Sequence, residues 1–306
     1  MLNQKLLSIC IPTRGRVSIL EMTLDSIFNS KVELSEYEVI IYDSSDNDEL
    51  SDLIALKYNY PNLIHKKGKN NGFYNLISAL ELGNGKFLKL HNDYTSFYEH
   101  SLEIMLQCIK ADLLGQSVLF FSNGSLKMKT IKSFGSFDDF LYEISYFSSW
   151  STAFGIWKSD FDKVKNFELN PMFPHTSLLF KLYGKKSYLV NDEELFENQD
   201  VSKKGGYNLF ETFAVTYLKM VENLLIEKQI STKTFDFIKS NLYHKFLIEW
   251  YFLTKIQRNE YTFDLSNIKK SMLVYYSALL YYRMVLIAYF RAFKNLVKIT
   301  LNLRRL

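Results

Sequence analysis

The amino-terminal third of the chain alternates between short apolar runs and segments whose apolar residues recur at helical spacing. Residues 6–11 and 38–42 are apolar runs without a helical period, which is typical of buried parallel strands. Between them, residues 18–28 place apolar side chains three and four positions apart, as an amphipathic helix does. A strand, a helix and a strand within about 40 residues predict a βαβ unit with a right-handed crossover and a parallel sheet.

Polar clusters follow the predicted strands at the points where the strands end. They occupy residues 13–16, 43–46, 68–72 and 91–93. The carboxyl ends of parallel strands share one edge, and ligands bind at that edge in sheets of this kind. Neither Gly-x-x-x-x-Gly-Lys-Ser/Thr nor Gly-x-Gly-x-x-Gly follows the first strand, so P-loop and dinucleotide-binding folds lack their fingerprints.

The fourth cluster follows a short strand, Phe87–Leu90, and ends in a single carboxylate. Alternate residues of an extended chain point the same way, so we expect His91 and Asp93 to face one site and Asn92 to turn aside. The alternative is a strand followed by an ordinary Asp turn. The position of this cluster beside the other three favours a ligand site.

Four segments, in this order, resemble the motifs of family 2 glycosyltransferases of the GT-A fold. They are Ile-Pro-Thr-Arg-Gly-Arg at 11–16, Tyr-Asp-Ser-Ser at 42–45, Asn-Gly at 71–72, and the strand from Gly-Lys-Phe to Asp at 85–93. The family pattern is Pro-Thr-x-Asn-Arg after a strand, then Asp-x-x-Ser, Asn-x-Gly, and Gly-x-(Tyr/Phe) before Asp-x-Asp. The resemblance implies an α/β domain of GT-A type, with the Rossmann-like mixed sheet of nucleotide-diphospho-sugar transferases.

The resemblance also implies which residues bind the nucleotide of the donor. Asp43 is implied to accept a hydrogen bond from a pyrimidine ring NH, and Asn71 and Gly72 to lie near the nucleotide. The residues implied to line the base and ribose pocket are Pro12, Thr13 and Arg16.

In this family the fourth segment binds a divalent metal, Mn²⁺ or Mg²⁺, that bridges the donor diphosphate. Asp93 matches the last carboxylate of Asp-x-Asp and is the implied metal ligand, while His91 stands where the family has its first Asp. We expect His91 to contact ribose or phosphate, and Asn92 to belong to the same donor site. A cation there stabilises the charge that develops on the leaving diphosphate. Hard ions prefer oxygen ligands, so the histidine leaves weak or absent metal dependence open.

On the acceptor side, the family places Glu-Asp at the start of a helix, where a carboxylate acts as general base. Here the matching position reads Pro174, His175, Thr176. A neutral imidazole is a competent base near pH 7, and a helix N-terminus lowers its pKa, so His175 is the predicted base. The alternative is a histidine that caps or packs there, and the carboxylates then left for the role are Asp138, Asp139 and Glu168.

Two cations and two glycines follow an acidic loop near residue 200. In enzymes that this chain resembles, a mobile loop here closes over the donor diphosphate, so Lys203 and Lys204 are predicted donor-binding residues. The alternative is a plain linker. We therefore predict a GT-A domain over 1–205 and a helical C-terminal region over 206–306, which contains no glycine after Gly206.

The last predicted helix, 266–302, is basic and amphipathic. Five cations fall within about 80° of its circumference and apolar side chains occupy the opposite half. The five are Arg283, Arg291, Lys294, Lys298 and Arg305. Such a helix is typical of a membrane-surface element, and its apolar run is too short for a span. The alternative is that it packs on the catalytic domain or on a second subunit, as in a homodimer.

Composition adds limits on partners and compartment. The formal charge of the chain is +4, but residues 283–306 hold six basic and no acidic residues. The rest of the chain is therefore slightly acidic, which argues against nucleic acid as a partner. The two cysteines lie in apolar runs, as buried thiols of a reducing compartment do, and we expect a cytoplasmic protein without a signal peptide.

The resemblance implies an inverting glycosyltransferase of the hexosyltransferase class. Its donor would be a nucleotide-sugar, and its acceptor a lipid-linked glycan of bacterial surface polysaccharide, such as O-antigen (lipopolysaccharide) or capsule. The enzyme would act peripherally on the inner face of the plasma membrane through its C-terminal helix. Two alternatives stay open: a catalytically degenerate GT-A-like partner protein of a polysaccharide assembly complex, and a sugar nucleotidyltransferase.

Overall fold

The structure, a computed structural model, describes residues 4–201 and 204–303, with side chains through residue 295. It divides into two compact units, the first ending at Asp200 and the second beginning at Val201. The first unit is α/β and the second is mainly helical. Lys203 lies outside the described residues.

A central five-stranded sheet organises the first unit. Its strand order is β3-β2-β1-β4-β8, with the first four strands parallel and β8 antiparallel to β4. Nearly every residue of β1 and β2 is buried, which explains their apolar runs. The strands of this sheet are β1 (Leu7–Thr13), β2 (Tyr37–Asp43), β3 (Leu63–Lys67), β4 (Phe87–Leu90) and β8 (Gly155–Trp157).

Two smaller sheets complete the β structure of this unit. A three-stranded sheet has the order β6-β9-β7, and the bridge between Phe120 and Phe154 joins its β6 to the segment before β8. A short pair, β5 and β10, brings residues 95–97 against residues 196–198. These strands are β5 (Thr95–Phe97), β6 (Val118–Phe121), β7 (Ile131–Phe134), β9 (Tyr188–Asn191) and β10 (Phe196–Asn198).

Helices connect the strands of the first unit. The segment predicted as a helix at 18–28 forms α1, and short 3₁₀ turns at Gly72–Tyr74, Ser145–Ser149 and Ser151–Ala153 precede α3 and β8. The helices are α1 (Val17–Phe28), α2 (Glu49–Lys57), α3 (Asn75–Leu82), α4 (Ser101–Ala111), α5 (Phe137–Ile144), α6 (Lys158–Val164) and α7 (Pro174–Phe180).

Strand β1 runs past Pro12, further than the predicted 6–11. Pairing with β4 ends at Cys10, whereas pairing with β2 continues to Thr13. The missing N–H of Pro12 points to the side where β4 has already ended, so no ladder hydrogen bond is lost. The register sets Thr13 beside Asp43, and the His91 N–H donates to the Cys10 carbonyl at 2.9 Å. The predicted polar clusters therefore meet at one edge of the sheet.

A buried carboxylate fixes the opposite, amino edge of the sheet. Glu38 of β2 accepts hydrogen bonds from the Ser8 hydroxyl at 2.6 Å and from the N–H groups of Asn84 and Gly85 at 2.6 and 3.1 Å. A side chain at Gly85 would not fit, since its Cβ would lie 2.7 Å from the Ser8 nitrogen. Glu38 thus sets where the chain turns from α3 into β4.

The second unit is helical, with one short parallel strand pair. Its residues 212–217, 242–247 and 252–256 are π-helical and continuous with the α-helical segments around them. No helix within residues 4–201 and 204–303 is both long and apolar enough to cross a membrane. The elements are β11 (Gly205–Asn208), α8 (Leu209–Glu211), α9 (Leu218–Ile226), α10 (Thr232–Asn241), α11 (Ile248–Tyr251), β12 (Thr262–Asp264), α12 (Ile268–Tyr275) and α13 (Ala278–Leu303).

The prediction of one helix over 266–302 is wrong, because the chain breaks between α12 and α13. Tyr276 is extended and buried, and its hydroxyl donates to the Lys239 carbonyl at 3.0 Å. Ser277 then caps the new helix by accepting from the Leu280 N–H at 3.3 Å. Periodicity alone does not reveal this break, since apolar residues continue on both sides of it.

The Glu38 carboxylate provides a test of the fold. Replacing Glu38 with Ala removes the acceptor of the buried Ser8 hydroxyl and one acceptor each of the Asn84 and Gly85 N–H groups, so we expect the free energy of unfolding to fall by about 1–3 kcal/mol. Urea denaturation measures the change. Glu33→Ala, an exposed glutamate close by in the chain, is the control and is expected to stay within about 0.5 kcal/mol of wild type. Equal midpoints for the two variants would show that the Glu38 hydrogen bonds contribute nothing.

Candidate functional site

The loop after β1 is tied to the end of β2. The Ser44 N–H donates to the Thr13 carbonyl at 3.0 Å, and the Gly15 N–H donates to the Ser45 hydroxyl at 2.7 Å. The turn bends back at Gly15, whose φ of +67° favours glycine. Pro12 near the end of β1 and Arg16 on the loop are partly exposed, whereas Thr13, the last residue of β1, is buried.

Asp93 is the point where the loop after β1 meets the end of β4. Its Oδ1 accepts from Arg16 Nη1 at 2.5 Å and its Oδ2 accepts from the Thr13 hydroxyl at 2.7 Å. The Asp93 carbonyl accepts from the Thr23 hydroxyl of α1 at 3.1 Å. Burial raises the pKa of the Asp93 carboxyl, while the Arg16 charge and the two hydrogen bonds oppose that rise.

His91 does not have the surface position that the sequence predicted. Its side chain is fully buried, stacked on Phe97 with ring centroids 4.5 Å apart and packed edge-on against Phe196. Nε2 lies 2.7 Å from the Thr95 carbonyl, and burial lowers the pKa of the ring to about 3. A neutral ring inside an aromatic cluster does not reach ribose or phosphate. Since β4 ends at Leu90, the alternation that paired His91 with Asp93 does not extend to them.

Asn92 links the donor edge to the segment before β8. Its Oδ1 accepts from the Ser151 hydroxyl at 3.1 Å, and its Nδ2 donates to the Tyr94 hydroxyl at 3.0 Å. The side chain is only partly buried. Asn92 therefore stays close to the site, as a group that joins two segments.

The metal expected at Asp93 finds a poor set of ligands. Both carboxylate oxygens of Asp93 are engaged by protein donors, one of them a guanidinium, and His91 faces Thr95 instead. Within the described residues, no group of three His, Cys, Asp or Glu side chains lies close enough to hold a metal ion. As these side chains are arranged, the donor set does not fit a divalent cation, and the metal role of Asp93 stays a prediction.

Asp43 is buried as well, and its carboxylate is engaged by neighbouring groups of the protein. Its Oδ1 accepts from the Ser45 N–H at 2.8 Å, and Oδ2 lies 3.4 Å from His65 Nε2 and 3.5 Å from Lys67 Nζ. Burial alone would raise the pKa of this carboxyl, but the hydrogen bonds from Ser45 and the Lys67 charge lower it overall. The carboxylate has no exposed surface, so the predicted contact with a pyrimidine NH is not available in this arrangement.

Asn71 and Gly72 are exposed at the same edge, as a nucleotide contact requires. The sequence analysis missed Asn75, the residue that holds their turn. Asn75 Oδ1 accepts from the Asn71 N–H at 2.9 Å, and its Nδ2 donates to the Ser44 hydroxyl at 3.0 Å. An asparagine at the start of a predicted helix was the available signal.

Lys89 is a second residue that sequence reasoning missed. It is fully buried in β4, and its ammonium donates to the Leu90 carbonyl at 2.7 Å and to the Thr152 carbonyl. The rings of Phe121 and Phe196 lie beneath it, with centroids 5.6 and 5.7 Å away. Burial lowers the pKa of Lys89 to about 7. A lysine inside an apolar strand was the signal for this link to the segment before β8.

His175, the predicted base, lies in the first turn of α7 but is buried. Its Nε2 is 3.0 Å from the Ser149 carbonyl, and its Nδ1 is buried without a hydrogen-bond partner in the described part of the chain. Burial lowers the pKa of the ring to about 4. The burial of the ring gives no support to His175 as the base, and that role stays a prediction.

The carboxylates named as alternatives occupy two different places. Asp138 and Asp139 lie in the first turn of α5, where Ser136 caps the Asp139 N–H. Glu168 is exposed in the loop before α7, and the adjacent Leu169 carbonyl accepts from the Tyr74 hydroxyl at 2.7 Å. Glu168 is thus next in sequence to a contact with the Asn71–Gly72 turn.

Lys204 belongs to the second unit. Its carbonyl accepts from the Thr262 N–H at 2.9 Å, and its ammonium lies 5.8 Å from the centroid of the Trp250 ring. These contacts account for Lys204 within that unit and provide no support for the predicted role in donor binding.

Solved structures with the same fold are known. S. aureus TarS 1–349 in complex with UDP-GlcNAc is similar over 82% of this chain and 76% of that chain, at 15% identity and a TM-score of 0.61. Mannosyltransferase PcManGT from Pyrobaculum calidifontis, in complex with GDP-Man and Mn²⁺, is similar over 79% of this chain and 71% of that chain, at 12% identity and a TM-score of 0.54. At these identities the likeness shows the fold alone, and it confirms the predicted GT-A class.

Sequence comparison identifies a relative that matches part of this chain and a family model that matches most of its first unit. Abequosyltransferase RfbV of Salmonella typhimurium (strain LT2) is 30% identical over 104 residues, which are 33% of this chain and 31% of RfbV. The match thus spans about a third of that relative. The model of glycosyl transferase family 2 matches residues 8–182, more than half of the chain and the whole stretch from β1 to α7. The chain belongs to glycosyl transferase family 2.

Proposed function

We propose that this protein transfers a sugar from a nucleotide-sugar donor to a hydroxyl of a glycan acceptor. The observation that carries the proposal is the family match, because residues 8–182 contain the whole carboxyl edge of the sheet. Two structures of the same fold hold UDP-GlcNAc and GDP-Man, which supports a nucleotide-sugar donor. At the edge itself, Arg16 and the Asn71–Gly72 turn are among the groups open to a donor.

For the acceptor we propose a lipid-linked glycan of bacterial surface polysaccharide, O-antigen or capsule, with inversion at the anomeric carbon. The similarity to an abequosyltransferase supports a saccharide acceptor, and the C-terminal helix supports a lipid-linked one. The protein would then work on the inner face of the plasma membrane. A catalytically degenerate partner protein is the competing function, favoured by the burial of His175.

The general base has to be a group that an acceptor can reach. Glu168 is exposed and sits beside the Leu169–Tyr74 contact, whereas both nitrogens of His175 are buried. A carboxylate that takes the proton of the acceptor hydroxyl contributes about 10²–10⁴-fold to the rate. We therefore propose Glu168 as the base in place of His175.

Helix α13 supports attachment to a membrane surface. Large apolar side chains line the face opposite its buried residues Met284 and Ala288, and among them Phe290 and Phe293 are 58% and 63% exposed. Arg283 and Lys294 are exposed along one border of this face, while Arg291 pairs with Glu249. An exposed aromatic face bordered by cations matches an anionic bilayer surface. The exposed apolar residues are Leu279, Tyr282, Leu286, Tyr289, Phe290 and Phe293.

The activity is tested by following release of nucleoside diphosphate from a panel of UDP-, GDP-, CDP- and dTDP-sugars, with lipid-linked saccharide acceptors. We expect turnover with one donor, and Glu168→Gln is expected to lower kcat by about 10²-fold or more because the acceptor proton then has no base. Glu33→Gln, an exposed matched control, should leave kcat unchanged. No turnover by the wild type across the panel would favour the non-catalytic partner, whereas full activity of Glu168→Gln would place the base elsewhere.

Membrane attachment is tested by co-sedimentation with vesicles of phosphatidylcholine, with and without phosphatidylglycerol. The double change Phe290→Ser and Phe293→Ser removes two rings that each contribute about 1.5–3 kcal/mol when buried, so binding should fall at least about tenfold. Phe167→Ser removes an equally exposed ring of the first unit and is the control. Unchanged vesicle binding, together with a loss of dimer in sedimentation velocity, would show that this face joins two copies of the chain instead.

A further inference from the structure

We propose that Arg16 stabilises the negative charge of the donor diphosphate at this site, so that transfer needs no divalent metal. The inference rests on the proposed function and deepens it, since it names the group that would stabilise the leaving diphosphate. It follows from how the carboxylate and the histidine of the fourth cluster are used inside the protein.

The ligands that a metal would require at the 91–93 cluster are already engaged by the protein. Asp93 is the carboxylate of the 91–93 cluster, and each of its oxygens already accepts a hydrogen bond, from Arg16 at 2.5 Å and from Thr13 at 2.7 Å. His91 is enclosed by Phe97 and Phe196, with Nε2 held at the Thr95 carbonyl. A divalent cation at Asp93 would have to displace a guanidinium, a group that carries its own positive charge at every physiological pH.

Arg16 presents an exposed cationic group that a ligand can reach. Its side chain is 39% exposed, whereas that of Asp93 is 3% exposed, so the pair presents its cationic member to the surface. A guanidinium has five N–H donors, and the bond to Asp93 uses one terminal nitrogen. Guanidinium groups bind phosphate oxygens through parallel hydrogen bonds, which suits a diphosphate.

Contacts of its loop and of its guanidinium hold Arg16 in place. The loop that carries it is fastened to β2 through Gly15 and Ser44, and its guanidinium also lies 5.6 Å from the centroid of the Tyr94 ring. Asp93 is then a positioning residue that orients Arg16. A cation held in place before the reaction stabilises developing charge without the cost of reorganising solvent.

The chemistry balances without a further reactant. The acceptor oxygen forms a bond to the anomeric carbon, and the bond from that carbon to the diphosphate oxygen breaks with its electron pair staying on the diphosphate. The proton of the acceptor hydroxyl passes to the base. Arg16 stays protonated throughout and only binds the oxygens on which charge accumulates.

The test compares turnover and nucleotide binding in EDTA with the same measurements in Mn²⁺. We expect wild-type turnover in EDTA to stay within about twofold of that in Mn²⁺. Arg16→Gln should lower kcat/KM by about 10²–10³-fold, as removal of one charge-stabilising donor does, and added Mn²⁺ should not restore it. Arg16→Lys keeps the charge without the paired donors and should retain part of the activity.

Arg14→Gln is the matched control, because Arg14 lies on the same loop and its side chain is 52% exposed. Its kcat/KM should stay within about twofold of wild type. Calorimetric titration with UDP and with GDP gives a readout that needs no turnover, and the nucleotide that binds wild type in EDTA should bind Arg16→Gln at least tenfold more weakly.

Turnover or nucleotide binding that disappears in EDTA and returns with Mn²⁺ would overturn the inference, as would an unchanged Arg16→Gln. The two proposals fail differently. A protein that binds a nucleoside diphosphate in EDTA through Arg16 but turns over no donor contradicts the proposed function alone. A protein that turns over a donor only with Mn²⁺ contradicts this inference alone.

Discussion

The buried carboxylate of Asp93 is the constraint on which the donor edge depends. An ionised carboxylate inside a protein must be paired, and removing one partner of such a pair is strongly destabilising. Here the partners are Thr13, the last residue of β1, and Arg16 of the loop that follows, so pairing Asp93 fixes that loop against the segment after β4. The requirement to satisfy one charge thereby sets which groups of the loop lie inside and which remain open to a ligand.

Similar hydrogen bonds between polar side chains connect the neighbouring strand ends along this edge. Asp43 holds the Ser45 N–H and lies near Lys67, and Ser44 connects β2 to both Thr13 and Asn75. Polar residues that follow strands thus have two different roles, and the sequence alone does not show which role a given residue has. The buried ones hold loops in place, whereas Arg16 and Asn71 keep exposed surface at the edge.

The resemblance of four motifs pointed to the family. The sequence was also sufficient to predict the strand, helix and strand that open the first unit, their parallel sheet and the edge where polar clusters gather. These follow from local patterns of 10 or so residues, which the physics of strands and helices fixes directly. The side-chain environments were not predictable in this way. His91 is buried because Phe196 approaches it through the β5–β10 pair, from more than 100 residues away in the chain. His175 is buried against Phe154 and the Ser149 carbonyl, and the 276–277 break depends on a contact with Lys239.

Lys89 has a thermodynamic consequence for the whole first unit. Its pKa is about 7 in the folded chain, against 10.5 when the side chain is free in water. Between these values the unfolded chain binds a proton that the folded chain does not, so unfolding takes up protons and the Lys89 contribution to stability rises with pH. Below about pH 7 both states hold the proton, and the full cost of burying an ammonium remains. The link between β4 and the Thr152 segment therefore costs stability in the acid range, where the buried side chain of Lys89 is an ammonium.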